Sequence, residues 1–192
     1  MGRKRVAILI SGRGSNMAAL IAAARNPDYP AEIVLVIANR ADAGGIAVAR
    51  AAGIEAAVIP SADFADRAAF EAEVTRRLEA QRIEIVCLAG FMRVLSPSFV
   101  GRWQGRLINI HPSLLPAFPG LHTHERAIAA GAAEHGCTVH YVSEGVDEGP
   151  VIAQARVPVL AGDTPDLLAN RVLAEEHRLY PEALAKVARS LA

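Results

Sequence analysis

A chain of 192 residues, 52% of them hydrophobic, is long enough to bury a substantial core, and its length fits one domain over residues 1–192. Its 20 Lys and Arg residues balance 20 Asp and Glu residues, so bulk charge argues against a nucleic-acid or membrane partner. Cys87 and Cys137 each lie in an apolar run without metal-ligand spacing, which argues against a disulfide framework and for a reducing compartment.

The basic start, Met1-Gly2-Arg3-Lys4-Arg5, runs into only five apolar residues before a glycine turn, a poor signal peptide and a better first strand. No apolar run approaches membrane-spanning length, so the cytoplasm is the expected location. Residues 6–10 read as a buried strand, followed by Ser11-Gly12-Arg13-Gly14-Ser15-Asn16 and a helix from 17 to about 24. A second buried strand over 33–38 leads through Asn39-Arg40-Ala41-Asp42 into an alanine-rich helix ending near Gly53. A short third strand over 55–59 precedes a helix over 66–81, whose Phe70, Val74 and Leu78 recur at four-residue intervals on one apolar face. Residues 83–89 are almost unbroken hydrophobic strand, the pattern of a sheet covered by helices on both sides. Ser96 and Pro97 suit the N-cap and first position of a short helix reaching Trp103, and residues 107–110 make the next central strand. Beyond a proline-rich loop come a helix over 124–130 and strands over 137–143 and 151–159, which can pair antiparallel across the turn between them. A long final helix follows, capped by Asp163 or Thr164, with Pro165 near its first turn. This order predicts an α/β fold: a doubly wound, mostly parallel central sheet with an antiparallel C-terminal portion, and ligands gathered beyond the carboxyl ends of the strands.

Gly12-Arg13-Gly14-Ser15-Asn16 stands between a buried strand and a helix. Glycine lets the backbone turn closely, and the free amides of a helix start can hold an anion. The Ser15 hydroxyl and Asn16 carboxamide can add hydrogen bonds and Arg13 can supplement the field, an arrangement suited to a terminal phosphate. The alternative is an ordinary strand-to-helix turn with Ser15 or Asn16 as N-cap. No Gly-Lys-Ser/Thr closes the run, and residue 17 is Met where the dinucleotide pattern has Gly, so a phosphorylated small molecule is preferred to ATP hydrolysis or an NAD site.

Leu107-Ile108-Asn109-Ile110-His111-Pro112-Ser113-Leu114-Leu115-Pro116 carries the chemistry. Strand side chains alternate, so Asn109 and His111 point from one face. A neutral carboxamide donor beside an imidazole suits stabilisation of a negatively charged oxygen. The alternative is that Asn109 caps local backbone and His111 is a satisfied core residue. By themselves, Asp147 reads as a turn residue, Glu176 as an acid at the margin of a helix stripe, and Arg67 as a solvated helix charge. Phe91 and Met92 have an ordinary packing explanation, and His122 and His124 lack the spacing of a zinc site.

Taken in order, Ile10 to Asn16, Leu88-Ala89-Gly90-Phe91-Met92-Arg93, Ile108 to Pro116, Pro119-Gly120-Leu121-His122-Thr123-His124, Val146-Asp147-Glu148-Gly149-Pro150 and Glu176-His177-Arg178-Leu179-Tyr180-Pro181 make a specific set. Through them nearly the whole chain resembles the phosphoribosylglycinamide formyltransferases, the folate-dependent glycinamide ribonucleotide transformylases of purine synthesis. The resemblance implies the formyltransferase fold and transfer of a formyl group from 10-formyltetrahydrofolate to the amine of 5-phosphoribosylglycinamide. It implies that Asn109, His111 and Asp147 are catalytic, that Gly14, Ser15 and Asn16 seat the phosphate in a loop shaped by Gly12 and Arg13, and that Glu176 helps hold that substrate. It also implies a formyl-folate site at Arg67, Met92, Arg93, Val94 and Leu95, with Asn109 at its reacting end. Asp147 is then expected to favour the protonated His111 ring, with no covalent enzyme intermediate and no catalytic metal. A monomer or weak homodimer is expected.

Related formyl-folate enzymes are the nearest rivals. Methionyl-tRNA formyltransferases usually add a C-terminal RNA-binding portion and formyltetrahydrofolate deformylases an N-terminal regulatory portion, so the short chain and its phosphate loop favour the glycinamide substrate. A noncatalytic nucleotide sensor and an NAD-dependent oxidoreductase fit less well. The resemblance suggests a cis Leu115–Pro116 bond, whereas the X-Pro sequence alone makes trans the expectation.

Overall fold

A computed structural model describes residues 2–191, so Met1 and Ala192, the two ends of the expected domain, lie outside the described residues. The elements follow as β1 (Lys4–Ile10), α1 (Ser15–Ala24), β2 (Ala31–Ala38), α2 (Gly45–Ala51), β3 (Glu55–Val58), a 3-10 turn (Ser61–Asp63), α3 (Arg67–Ala80), β4 (Ile85–Leu88), α4 (Pro97–Arg102), β5 (Leu107–His111), α5 (Thr123–Ala129), β6 (Glu134–Tyr141), β7 (Val151–Pro158) and α6 (Pro165–Ser190).

The strands form one seven-stranded sheet in the order β3-β2-β1-β4-β5-β6-β7. Pairings from β3 across to β5 are parallel, and β5–β6 and β6–β7 are antiparallel, as the order of apolar runs predicts. The chain winds outward from β1 to β3 and returns to lay β4 on the other side of β1. Neighbouring loops therefore leave β1 and β4 in opposite directions and open a crevice at their carboxyl ends, the position where such sheets bind ligands.

Near-continuous apolar runs in β1, β2, β4 and β5 arise because each of these strands feeds two cores. Val6, Ile8 and Ile10 of β1 pack with Met17 and Leu20 of α1 and Leu168, Val172 and Tyr180 of α6. Ala7 and Leu9 point the other way, toward Phe70, Val74 and Leu78 of α3, Phe99 of α4 and Trp103 at its C-cap. The four-residue stripe expected on α3 is thus the face that covers the sheet.

Ser96 caps α4 by accepting from the Phe99 N–H, and Pro97 opens that helix. Of the two caps offered for α6, Thr164 serves, accepting from the Leu167 N–H, while Asp163 accepts from the Leu160 N–H and pairs with Arg171. Three expectations need correction. α1 begins at Ser15, with Gly14 rather than Ser15 or Asn16 at the N-cap, in left-handed backbone at φ 73°. β6 begins at Glu134, because Glu134, His135 and Gly136 continue its ladder with β7. Leu115–Pro116 is cis rather than trans; the X-Pro amide separates the isomers by little, and bonds from the Leu115 N–H to Thr138 Oγ1 and from Gln154 Nε2 to the Leu115 carbonyl hold this segment against β6 and β7.

Candidate active site

Ile108 and Ile110 face the core beneath α6, whereas Leu107 faces the α3–α4 core. Period-two alternation puts Asn109 and His111 on the side of Leu107, where both line a cleft of about 640 Å³ together with Met92, Arg93, Val94, Leu95 and Asp147. The floor is β5, one wall is the segment after β4, and the other is the loop between β6 and β7.

Asp147 reaches His111 because its loop turns through left-handed backbone at φ 57°, a conformation Asp tolerates better than most residues. One carboxylate oxygen, Oδ2, accepts from the Gly120 N–H at 2.9 Å and lies 3.3 Å from His111 Nδ1. On the far side of the ring, His111 Nε2 donates to the Phe118 carbonyl at 3.0 Å. The imidazole, 6% exposed, therefore meets an oxygen acceptor at each nitrogen, a geometry that a doubly protonated ring satisfies in full.

Asn109 has its own partner. Strand pairing sets it opposite His140, and its Nδ2 lies 3.3 Å from His140 Nε2. His140 Nδ1, 2.9 Å from the Tyr141 carbonyl, must donate, so Nε2 of a neutral ring accepts from the carboxamide. Burial pushes the His140 pKa down, against smaller upward contributions from the Tyr141 carbonyl and Asp147. One Asn109 N–H is spent in this bond, which orients the carboxamide and leaves the second for the cleft.

The expected phosphate loop lines a second pocket of about 360 Å³, and Arg40 joins it there. Gly90 and Met92 line both pockets, so the two are separated by one thin wall. The first amides of α1 have no partner within the helix and open into this loop. Asn16 Nδ2 donates to Glu176 Oε2 at 2.7 Å. Glu176 is 7% exposed rather than a surface acid, and burial raises its pKa while the Asn16 bond opposes that rise. Gly45 closes the loop from behind: a Cβ there would lie 2.5 Å from Ile10 Cδ1 and 3.2 Å from the Gly12 and Arg13 carbonyls.

The structure brings together Asn109, His111, Asp147 and residues 92–95 in one place, and Gly12 to Asn16 with Glu176 in the next. Arg67 does not line the cleft; it is exposed at the start of α3, one turn before Phe70, over whose ring the Arg93 guanidinium lies at 5.8 Å. Sequence reasoning missed the parts played by Arg40 and Gly45 and the bond from Asn109 to His140. The Gly44-Gly45 pair was an available signal, and the other two depend on strand pairing and loop placement.

The formyl transferase family pattern matches residues 4–184. The phosphoribosylglycinamide formyltransferase of Escherichia coli (strain K12) is 47% identical over 176 residues, 92% of this chain and 83% of that protein. The trifunctional purine biosynthetic protein adenosine-3 of Drosophila pseudoobscura pseudoobscura is 55% identical over 188 residues, 97% of this chain and 14% of that protein, so the chain spans about one seventh of that relative's length. The crystal structure of phosphoribosylglycinamide formyltransferase from Brucella melitensis matches with a TM-score of 0.94 and 57% identity, covering 97% of this chain and 96% of that one. On sequence and fold alike, this chain belongs to the formyl transferase family.

Proposed function

We propose that this chain transfers the formyl group of 10-formyltetrahydrofolate to the amine of 5-phosphoribosylglycinamide, giving formylglycinamide ribonucleotide and tetrahydrofolate in purine biosynthesis. The observation that carries the reading is the pair of adjoining pockets: an anion seat at the start of α1 and a cleft holding a carboxamide, an imidazole and a carboxylate, divided only by the Gly90–Met92 wall. An anchored phosphate in the first pocket directs the other end of a small amine substrate into the second.

In this mechanism the free amine attacks the formyl carbon, and the carbonyl oxygen gains negative charge as the carbon becomes tetrahedral. The unspent Asn109 N–H donates to that oxygen, and the protonated His111 ring gives it a charged hydrogen bond as Nε2 turns from the Phe118 carbonyl. Asp147, 3.3 Å from His111 Nδ1, holds the ring's positive charge and takes part in moving the amine proton, directly or through water, to the departing folate nitrogen. Residues 92–95 supply dry surface and backbone hydrogen bonds to the donor. Arg93, with Arg67 one turn from its Phe70 contact, lies toward the donor's outer end. Glu176 holds the amine substrate near its ribose or amine, through the carboxylate that also fixes Asn16. The chain works in the cytoplasm as a monomer or weak homodimer.

The purified protein, mixed with both substrates, should release tetrahydrofolate and formylated glycinamide ribonucleotide in equal amounts. Tetrahydrofolate without the formylated product would identify a deformylase instead. Removing the substrate's phosphate while keeping its amine should raise KM sharply; indifference to the phosphate would reduce the glycine loop to a structural turn.

A further inference from the structure

Ser11 is the first residue after β1 and is buried, 6% exposed. Its hydroxyl donates to Asn39 Oδ1 at 2.6 Å and accepts from the Met92 N–H at 2.8 Å. The Ser11 N–H also donates to the Gly90 carbonyl at 3.1 Å. Asn39 is held in turn, donating its N–H to the Ile10 carbonyl at 3.3 Å and accepting from the Ser61 N–H at 3.1 Å. Ser61 Oγ accepts from Arg93 Nη1 at 3.0 Å. Hydrogen bonds thus run from Arg93 through Ser61 and Asn39 to Ser11 and back to Met92, tying the loop after β4 to the ends of β1 and β2 at the point where the strand order reverses.

Gly90 and Met92 line both pockets, and Ser11 with the residues immediately after it lines the anion pocket. We propose that Ser11 is a positioning residue for both substrates at once: its hydroxyl locks the Gly90–Met92 wall that the anion seat and the formyl-donor cleft share. The inference rests on the function proposed above. Neither nucleophile nor proton carrier is required of Ser11. Without the hydroxyl, the Met92 N–H and the buried Asn39 Oδ1 lose the partner they share, and the backbone must move to re-satisfy them together. Because that backbone is common to two pockets, a shift in it is felt in both. A residue that merely touched the phosphate would alter one substrate's binding, and a residue that merely filled the core would alter stability.

Steady-state kinetics of Ser11→Ala and Ser11→Thr against wild type separate these cases. In Ser11→Ala, KM for the phosphorylated amine and KM for the folate donor should both rise by about fivefold or more, with kcat changing less. Ser11→Thr, which keeps the hydroxyl, should restore both. If Ser11→Ala does not fold, Ser11→Cys fills the same space with a weak hydrogen-bonding group and should show the same paired rise. Wild-type KM values for both substrates in a folded Ala or Cys variant, or a rise for one substrate alone, would overturn the shared-wall role. A wild-type protein that forms no formylated product overturns the underlying function instead.

Discussion

His111 is held between two oxygens, and the one that carries charge belongs to Asp147. Asp147→Asn is a clean probe because Asn also tolerates the left-handed backbone at this position and keeps an oxygen for the Gly120 N–H. The substitution removes a charge without a cavity or a backbone change. Its kcat should fall by roughly 10²–10⁴, the range typical of lost acid–base assistance, with KM values changed far less. His111→Ala should cost about 10²–10³ in kcat through loss of the charged donor to the formyl oxygen. Rates within tenfold of wild type for both variants, measured on protein whose thermal midpoint is unchanged, would place the chemistry elsewhere. Ser15 is exposed at the first position of α1, so Ser15→Ala should leave stability alone and raise KM for the phosphorylated substrate only, in contrast to the paired effect expected at Ser11.

Elements explain why some of these residues could be read from the chain and others could not. Asn109 and His111 lie two apart on a short apolar strand, so alternation alone puts them on one face, and the α3 stripe was equally plain because it is periodic. Asp147 became legible only through family resemblance, since its approach to His111 needs β6 to run back along β5 and the next turn to enter left-handed backbone. His140 depends on strand register, which pairs it with Asn109, and Ser11 was read only as the front of a glycine loop because its partners Asn39 and Met92 come from two other loops. Two caps were legible because they are local: Ser96 and Thr164 each accept from the N–H three residues on, whereas α1 takes Gly14 as its N-cap and α3 takes Asp66, read as a helix residue. The longest helix gives the simplest test of that locality. Thr164→Ala removes the α6 cap and should destabilise the protein by about 1 kcal/mol, lowering the thermal midpoint by roughly 2–4 °C in a chain of this size. Glu176 lies three turns along the same helix, so turnover by the variant well below its midpoint should match wild type. A larger loss of activity than of stability would mean that the cap positions Glu176.

At the scale of the whole molecule, both cores hang on the same strands: β1 and β4 each alternate between them. We therefore expect residues 1–192 to unfold in one transition, which allows proton linkage to be read from a single free energy. Four histidines, His124, His135, His140 and His177, are held below their ordinary pKa by burial. His135, 1% exposed, packs edge-on against Phe118 at 5.9 Å and His124 at 5.2 Å, and burial first, then the neighbouring His124 and His111 rings, push its pKa down to about 4. Burial likewise lowers His124, against Glu125, and His140, against the Tyr141 carbonyl and Asp147. In the unfolded chain these rings titrate near 6.5. Between that pH and the depressed folded values, the unfolded state binds protons that the folded state refuses, so stability is full above about 6.5 and falls as pH drops, by up to about 1.4 kcal/mol per pH unit for each such ring. Glu176 acts in the opposite sense, because its raised folded pKa means that acidification relieves a buried charge. With four rings against one carboxyl, the unfolding free energy should decline from pH 6.5 toward pH 4. At the acid end of that window and below it the Arg-paired Glu73 and Asp163, each held at about 2, add to the decline, because the unfolded chain protonates these groups first. Urea titrations at one-unit intervals from pH 8 to 4 would reveal the slope, and His135→Phe, which keeps an aromatic ring against Phe118, should flatten it between pH 6 and 4. An unaltered slope in that variant would show that His135 takes up its proton as readily in the folded protein as in the unfolded chain.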